Sequence, residues 1–189
     1  MKHTLVALVE DKPGVLNRVA SLFRRRAFNI ESLTVGHTDQ PHISRMTIVI
    51  DSDNSNAHLV EANLAKLVNV IDVQDVTGMD AISRDLALIK VRADASGRAE
   101  IAQLTEIFRA KIVDVAPDSV IVEVTGDEDK IDGLVELLRP KGILEMVRTG
   151  RISMLRGNQS SERKSMNIKV NGNGNGHVQH SGTSGASSV

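Results

Sequence analysis

The sequence predicts an α+β fold: two tandem ferredoxin-like βαββαβ units followed by a disordered tail. Three observations point there. The order strand, helix, strand, strand, helix, strand occurs twice along the chain. Each helical stretch carries its apolar residues on one side only. The most continuous apolar runs of the first unit, "LVALV" and "MTIVI", fall at its first and third strands, which are the central pair in a sheet of order 4-1-3-2.

The first unit reads as strand Thr4–Val9, helix Pro13–Arg26, strand Asn29–Gly36, strand Ser44–Ile50, helix Ala57–Val68 and strand Val70–Thr77. Its first helix is striped by Val15, Leu16, Val19, Leu22 and Phe23, with Arg18, Arg24 and Arg25 on the polar side. Its second is striped by Val60, Leu64, Leu67 and Val68. The second unit opens with strand Leu86–Ala93 and helix Arg98–Ala110, striped by Ile101, Leu104 and Phe108. "KIVDVAPDSVIVEVTG" reads as two strands turning at Pro117 and Asp118. Asp127 is placed to cap a helix carrying Ile131, Leu134, Val135 and Leu138, which ends at Pro140 and Gly142 before the strand "ILEMVRT". The expected boundaries are 2–79 and 84–157.

Two further features follow from composition. Helices cover one face of such a sheet, yet "LVALV" is apolar on both, so another domain or subunit is expected on the other face or an edge. From Gly157 onward Gly, Asn and Ser dominate, and residues 158–189 have too few aliphatic side chains to offset the entropy of ordering.

Several kinds of chemistry are disfavoured. The formal net charge of -1 offers no general attraction to nucleic acid or acidic lipid, and three Phe are the only aromatic residues for base stacking. The absence of cysteine removes disulfides, thiolate catalysis and Cys-ligated zinc, and fits a cytoplasmic location. No apolar run nears the ~18 residues of a membrane span. "DSDNSN" starts like a calcium loop at Asp51, Asp53 and Ser55, but Asn56 replaces the turn glycine and Ala62 the closing glutamate. His37 and His42 flank a hairpin loop and are expected to face solvent. No nucleophile–base signature appears, so no catalytic or metal site is expected in this chain.

The joint "EDKPGVL", Glu10–Leu16, carries the most chemistry. A helix N-terminus leaves about four N–H groups without intrahelical partners, at the positive end of the helix dipole. Gly14 lets a carboxylate approach those amides closely. The plainer alternative is that Asp11 caps the helix and Pro13 begins it. Asn29, at the start of the next strand, supplies both a donor and an acceptor.

"LVEDKPGVLNRVASLFRRRAFNIESLTVGHTDQPHISRMTIVI" resembles the N-terminal ACT domain of the regulatory (small) subunit of acetolactate synthase, and "TEIFRAKIVDVAPDSVIVEVTGDEDKIDGLVELLRPKGILEMVRTGRISMLRG" resembles that family's C-terminal domain. The resemblance implies a non-catalytic subunit that activates a catalytic large subunit and confers feedback inhibition, typically by valine, in valine, leucine and isoleucine synthesis. The cofactors, thiamine diphosphate, Mg and FAD, are then expected in the large subunit. It also implies a homodimer through the ACT domains, with the effector bound between them. Carried over by position, the effector contacts are Asp11 and Gly14 from one protomer and Asn29 from the other, with Leu16 and Ile30 as aliphatic lining. Two positions depart from the family pattern. Asp11 stands where some members have Asn, and Ala27 where Gly is usual, a strained choice if φ is positive there. Two other readings stand beside this one: an ACT-type amino-acid sensor serving another enzyme, and an acylphosphatase-like hydrolase using Arg18 with Asn29.

Overall fold

The computed structural model describes residues 1–52 and 54–157; the tail expected to be disordered lies outside them. The first unit consists of β1 (Lys2–Glu10), α1 (Val15–Arg25), β2 (Ile30–His37), β3 (Ile43–Asp51), α2 (Asn54–Leu64) and β4 (Val70–Asp75). The second consists of β5 (Ala81–Arg92), α3 (Gly97–Ile107), β6 (Lys111–Val115), β7 (Ser119–Gly126), α4 (Glu128–Gly142), β8 (Ile143–Arg148) and β9 (Ile152–Leu155). Both sheets are antiparallel, with orders β2-β3-β1-β4 and β6-β7-β5-β8, so the central strands are those the apolar runs indicate.

Alternation along β1 builds two separate cores. Leu5, Ala7 and Val9 face the helices and pack with Val15, Val19, Leu22 and Phe23 of α1 and Val60 and Leu64 of α2. The second unit repeats this with Ala87, Ile89 and Val91 against Ile101 of α3 and Ile131, Leu134 and Leu138 of α4. Burying a residue such as Leu5 or Ile89 contributes about 1.5–3 kcal/mol each.

On the opposite face of the first sheet Thr4, Val6, Thr47 and Val49 are also buried. Val6, only 1% exposed, packs with Val76 and with Leu155 of β9. The cover is a two-stranded ribbon: Ala81–Arg84 at the start of β5 pairs with Ile152–Leu155. The expected covering element is therefore another part of the same chain.

The structure corrects several boundaries. Helix α1 starts at Val15, not Pro13, because Gly14 adopts φ 84 and turns the chain before the first helical residue. Strand β5 begins at Ala81 rather than Leu86, since its first residues pair with β9, a four-residue strand too short to announce itself. Helix α2 ends at Leu64; a tighter turn follows, with Leu67 N donating to Leu64 O at 3.0 Å. Leu67 still reaches the core, but Val68 is 88% exposed and does not belong to the apolar stripe. Helix α4 continues through Pro140 and ends at Gly142, whose φ is 93. Its cap is as expected: the Asp127 carboxylate accepts from Lys130 N at 3.0 Å.

Candidate functional site

Helix α1 begins without a side-chain cap. Gly14 occupies the cap position in the left-handed conformation, φ 84 and ψ -5, and the first turn holds no acidic residue. A side chain added at Gly14 would meet nothing within 4 Å, so the space before the helix amides is open. Helix α4 differs, because Asp127 already occupies its N-terminus. Helix α3, which holds the position of α1 in the second unit, also has its first amides taken: Asp94 Oδ1 accepts from Ser96 N at 3.1 Å and from Gly97 N at 2.7 Å. Of these three helix starts, that of α1 is the one able to accept an anion.

Asp11 does not cap α1. Its backbone N donates to His42 O at 2.8 Å, and its carboxylate lies 3.5 Å from His37 Nδ1. Both contacts tie the joint to the β2–β3 hairpin. On the other side Asn69 Nδ2 donates to Glu10 Oε2 at 2.6 Å, and Arg18 Nη1 donates to Asn69 Oδ1 at 2.5 Å. The Asn69 hydrogen bond, aided by Lys12, holds the Glu10 carboxyl below its ordinary pKa. Leu16 is 46% exposed on the first turn beside the opening.

Asn29 lies at the other end of the same sheet. Ile30 pairs with Ile50, which pairs with His3, whereas the joint follows Glu10, paired with Ile43. Seven residue steps along β1, from His3 to Glu10, separate these levels, about 23 Å at strand rise. Asn29 is exposed and lines an open cleft with Asp51, Ser52 and Leu59, while Ile30 packs against the first core. Asp11, Gly14 and Leu16 are therefore together, and Asn29 and Ile30 are together, but one chain does not unite the two groups. The same separation removes the acylphosphatase-like pairing: Arg18 is bound to Asn69, far from Asn29. Ala27 has φ 56, so this departure from glycine does fall at a left-handed position.

A set of charged residues between the two units escaped sequence reasoning, because each partner is distant in the chain. Lys2 Nζ lies 2.6 Å from Glu128 and 3.3 Å from Glu31; Arg151 Nη2 lies 2.7 Å from Glu128. Arg148 binds Asp85 and Asp132, both at 2.7 Å. Hydrogen bonds to Glu128 and then Glu31 raise the Lys2 pKa, and Lys2 in turn lowers that of Glu128 against the opposing effect of burial. Burial works to lower the Arg148 pKa, but its bonds to Asp85 and Asp132 outweigh this and raise it. All of these except Asp132 line a cleft of about 200 Å³. Among the described residues no group of three His, Asp or Glu side chains is placed to hold a metal ion. No helix among them is long and apolar enough to cross a membrane.

The tandem βαββαβ units and the open, glycine-capped start of α1 define a protein built from ACT-type domains. Residues 5–72 match the model of the acetohydroxyacid synthase small-subunit-like ACT domain, and residues 84–157 match that of the small subunit of acetolactate synthase. The chain is 54% identical over 159 residues to a probable acetolactate synthase small subunit of Archaeoglobus fulgidus, covering 84% of this chain and 99% of that one. It is 50% identical to the acetolactate synthase small subunit of Mycolicibacterium smegmatis, covering 82% and 91% of the two chains. The crystal structure of the small subunit from Thermotoga maritima superposes with a TM-score of 0.78 at 41% identity, over 84% of this chain and 99% of that one. The chain belongs to the acetolactate synthase small-subunit family.

Proposed function

We propose that this chain activates the catalytic large subunit of acetolactate synthase and makes it sensitive to feedback inhibition by valine, without catalysing a step itself. Residues 2–79 are the effector-binding ACT domain and 84–157 the second domain. The observation that carries the reading is the uncapped start of α1 with its open space at Gly14. The α-carboxylate of the amino acid takes the amides there, with charge–dipole stabilisation of about 0.3–2 kcal/mol. Leu16 borders the aliphatic side chain.

The site is completed by a second copy. Strand β2 is an edge strand, paired within the described residues only to β3. Two β2 edges meeting antiparallel about a two-fold axis through the middle of the strand set Ile30 of one copy opposite His37 of the other. His37 lies 3.5 Å from Asp11, so this pairing carries Asn29 across to the joint it cannot reach in its own chain. Asn29 then holds the polar end of the ligand, and each dimer has two equivalent sites.

The test is reconstitution with the large subunit from the same host, measuring acetolactate formation with and without valine, leucine and isoleucine. The expected result is a faster large subunit in the presence of the chain, slowed by valine only when the chain is present. A rate that ignores both chain and valine refutes the proposal.

A further inference from the structure

We infer that Ser32 and Arg151 are the positioning residues through which occupancy of the effector site is passed to the second domain. The inference rests on the effector site proposed above.

Strand β2 is the element shared by both regions. Asn29 and Ile30 belong to the effector half-site, and Glu31 and Ser32 follow directly. The register of β2 against β3 is irregular between Ile30 and Ser32, so Glu31 is the residue outside the regular ladder. A bulge of this kind frees the strand start from strict pairing while leaving the rest of the strand fixed.

The residues beyond the bulge grip the chain that leads to β9. Arg151 N donates to Ser32 Oγ at 2.9 Å. Gly150 lies so close that an added Cβ would sit 2.4 Å from Thr34 Oγ1, 2.7 Å from Ser32 Oγ and 3.0 Å from Leu33 O. The Gly150 backbone is thus packed on β2 where no side chain fits, so a displacement of β2 towards it must move residues 150–151 as well. Glu31 adds an ionic link through Lys2 to Glu128, at the first turn of α4.

Arg151, whose Nη1 also donates to Thr4 Oγ1 at 3.4 Å, has two carboxylates to choose between, which a relay with two arrangements requires. Its Nη2 is bound to Glu128 Oε2 at 2.7 Å, while its Nε stands 4.0 Å from Asp85 Oδ1. Asp85 is only 8% exposed, and Oδ1 is buried without a hydrogen bond. A small movement of the Arg151 backbone, drawn by Ser32, closes that gap and shifts Arg151 from α4 towards β5. Effector binding at Asn29 and Ile30 favours one of these arrangements, and the second domain carries the difference to the large subunit.

The experiment uses the full chain and the reconstituted holoenzyme with valine. Ser32→Ala removes the acceptor for Arg151 N, Arg151→Gln removes the charge that chooses between Glu128 and Asp85, and Ser32→Thr retains the hydroxyl. Ser32→Ala and Arg151→Gln are expected to bind valine within about twofold of wild type by calorimetry, while the valine concentration for half-inhibition rises about tenfold, within the usual range of allosteric coupling. Ser32→Thr should restore inhibition. Wild-type inhibition in both loss variants overturns the inference, as does loss of valine binding itself, which would make the residues part of the site. Failure of the wild-type chain to bind valine also overturns it, and is distinguished by appearing before any substitution is made.

Discussion

Replacing Gly14 by Asp separates the cost of folding from the cost of binding. Gly14 has φ 84, and an added Cβ has no neighbour within 4 Å, so the substitution strains the backbone without causing a collision. Left-handed backbone costs an L-residue about 1–2 kcal/mol, with Asp near the low end because it visits this region more readily. In a chain of this size ~1 kcal/mol lowers Tm by only about 2–4 °C. Binding is affected differently. The introduced carboxylate sits where the ligand carboxylate would, removing up to ~2 kcal/mol of charge–dipole attraction and adding repulsion between like charges. A loss of ~2 kcal/mol weakens valine binding about 30-fold. Calorimetric titration with valine and a melting curve on the same sample measure both quantities. Gly14→Ala is the control, with somewhat greater backbone strain but no charge, and should retain more affinity than Gly14→Asp. Wild-type valine affinity in Gly14→Asp, with the protein folded, refutes the placement of the carboxylate at α1.

Ala27→Gly relieves a positive φ and should raise stability by about 1 kcal/mol, a Tm increase of roughly 2–4 °C; no increase would mean that the strain is already absorbed. Glu128 has a lowered pKa, chiefly from its bond to Lys2, so its contribution is present above the unfolded value and is lost as pH falls through the folded one. Urea melts across about pH 3 to 7 should show a shallower acidic loss in Glu128→Gln than in wild type; identical slopes would remove Glu128 from the interdomain contact. Leu155→Ala, at the buried end of the covering ribbon, should cost about 2–3 kcal/mol by urea melt. A cost under about 0.5 kcal/mol would show that the face over Val6 is not closed by this residue.

The fold was legible where its signal is local. One-sided helices and the two apolar central strands define each unit because period and continuity are properties of short windows. The two-sided character of β1 announced that something covers its second face. It did not say what, because the cover is built from residues 81–84 and 152–155, which acquire their partners only in three dimensions. Val68 shows the limit of periodicity: it continues the apolar spacing of α2, but the helix ends at Leu64 and the side chain turns to solvent. At the candidate site, Gly14 and Ala27 were marked by residue type, and both have positive φ. Asp11 was not legible, since capping and hairpin bracing ask for the same side chain. Ser32, Glu128 and Arg151 had no local signal, for their partners lie 119, 126 and 23 positions away.

The ribbon that closes the first sheet has a consequence during synthesis. Strand β4 ends at Asp75, yet the strand that covers Val6 ends at Leu155, eighty residues later. At ribosomal rates of about 5–20 residues per second, the first unit waits roughly 4–16 s with one apolar face uncovered. During that interval Thr4, Val6, Thr47 and Val49 face the surroundings of the nascent chain, beside an unpaired β2 edge. The emerging ACT unit is then a candidate for chaperone capture, or for early pairing with another nascent copy. Arrival of residues 150–155 ends that interval, so the last described strand serves as the signal that the first unit is complete.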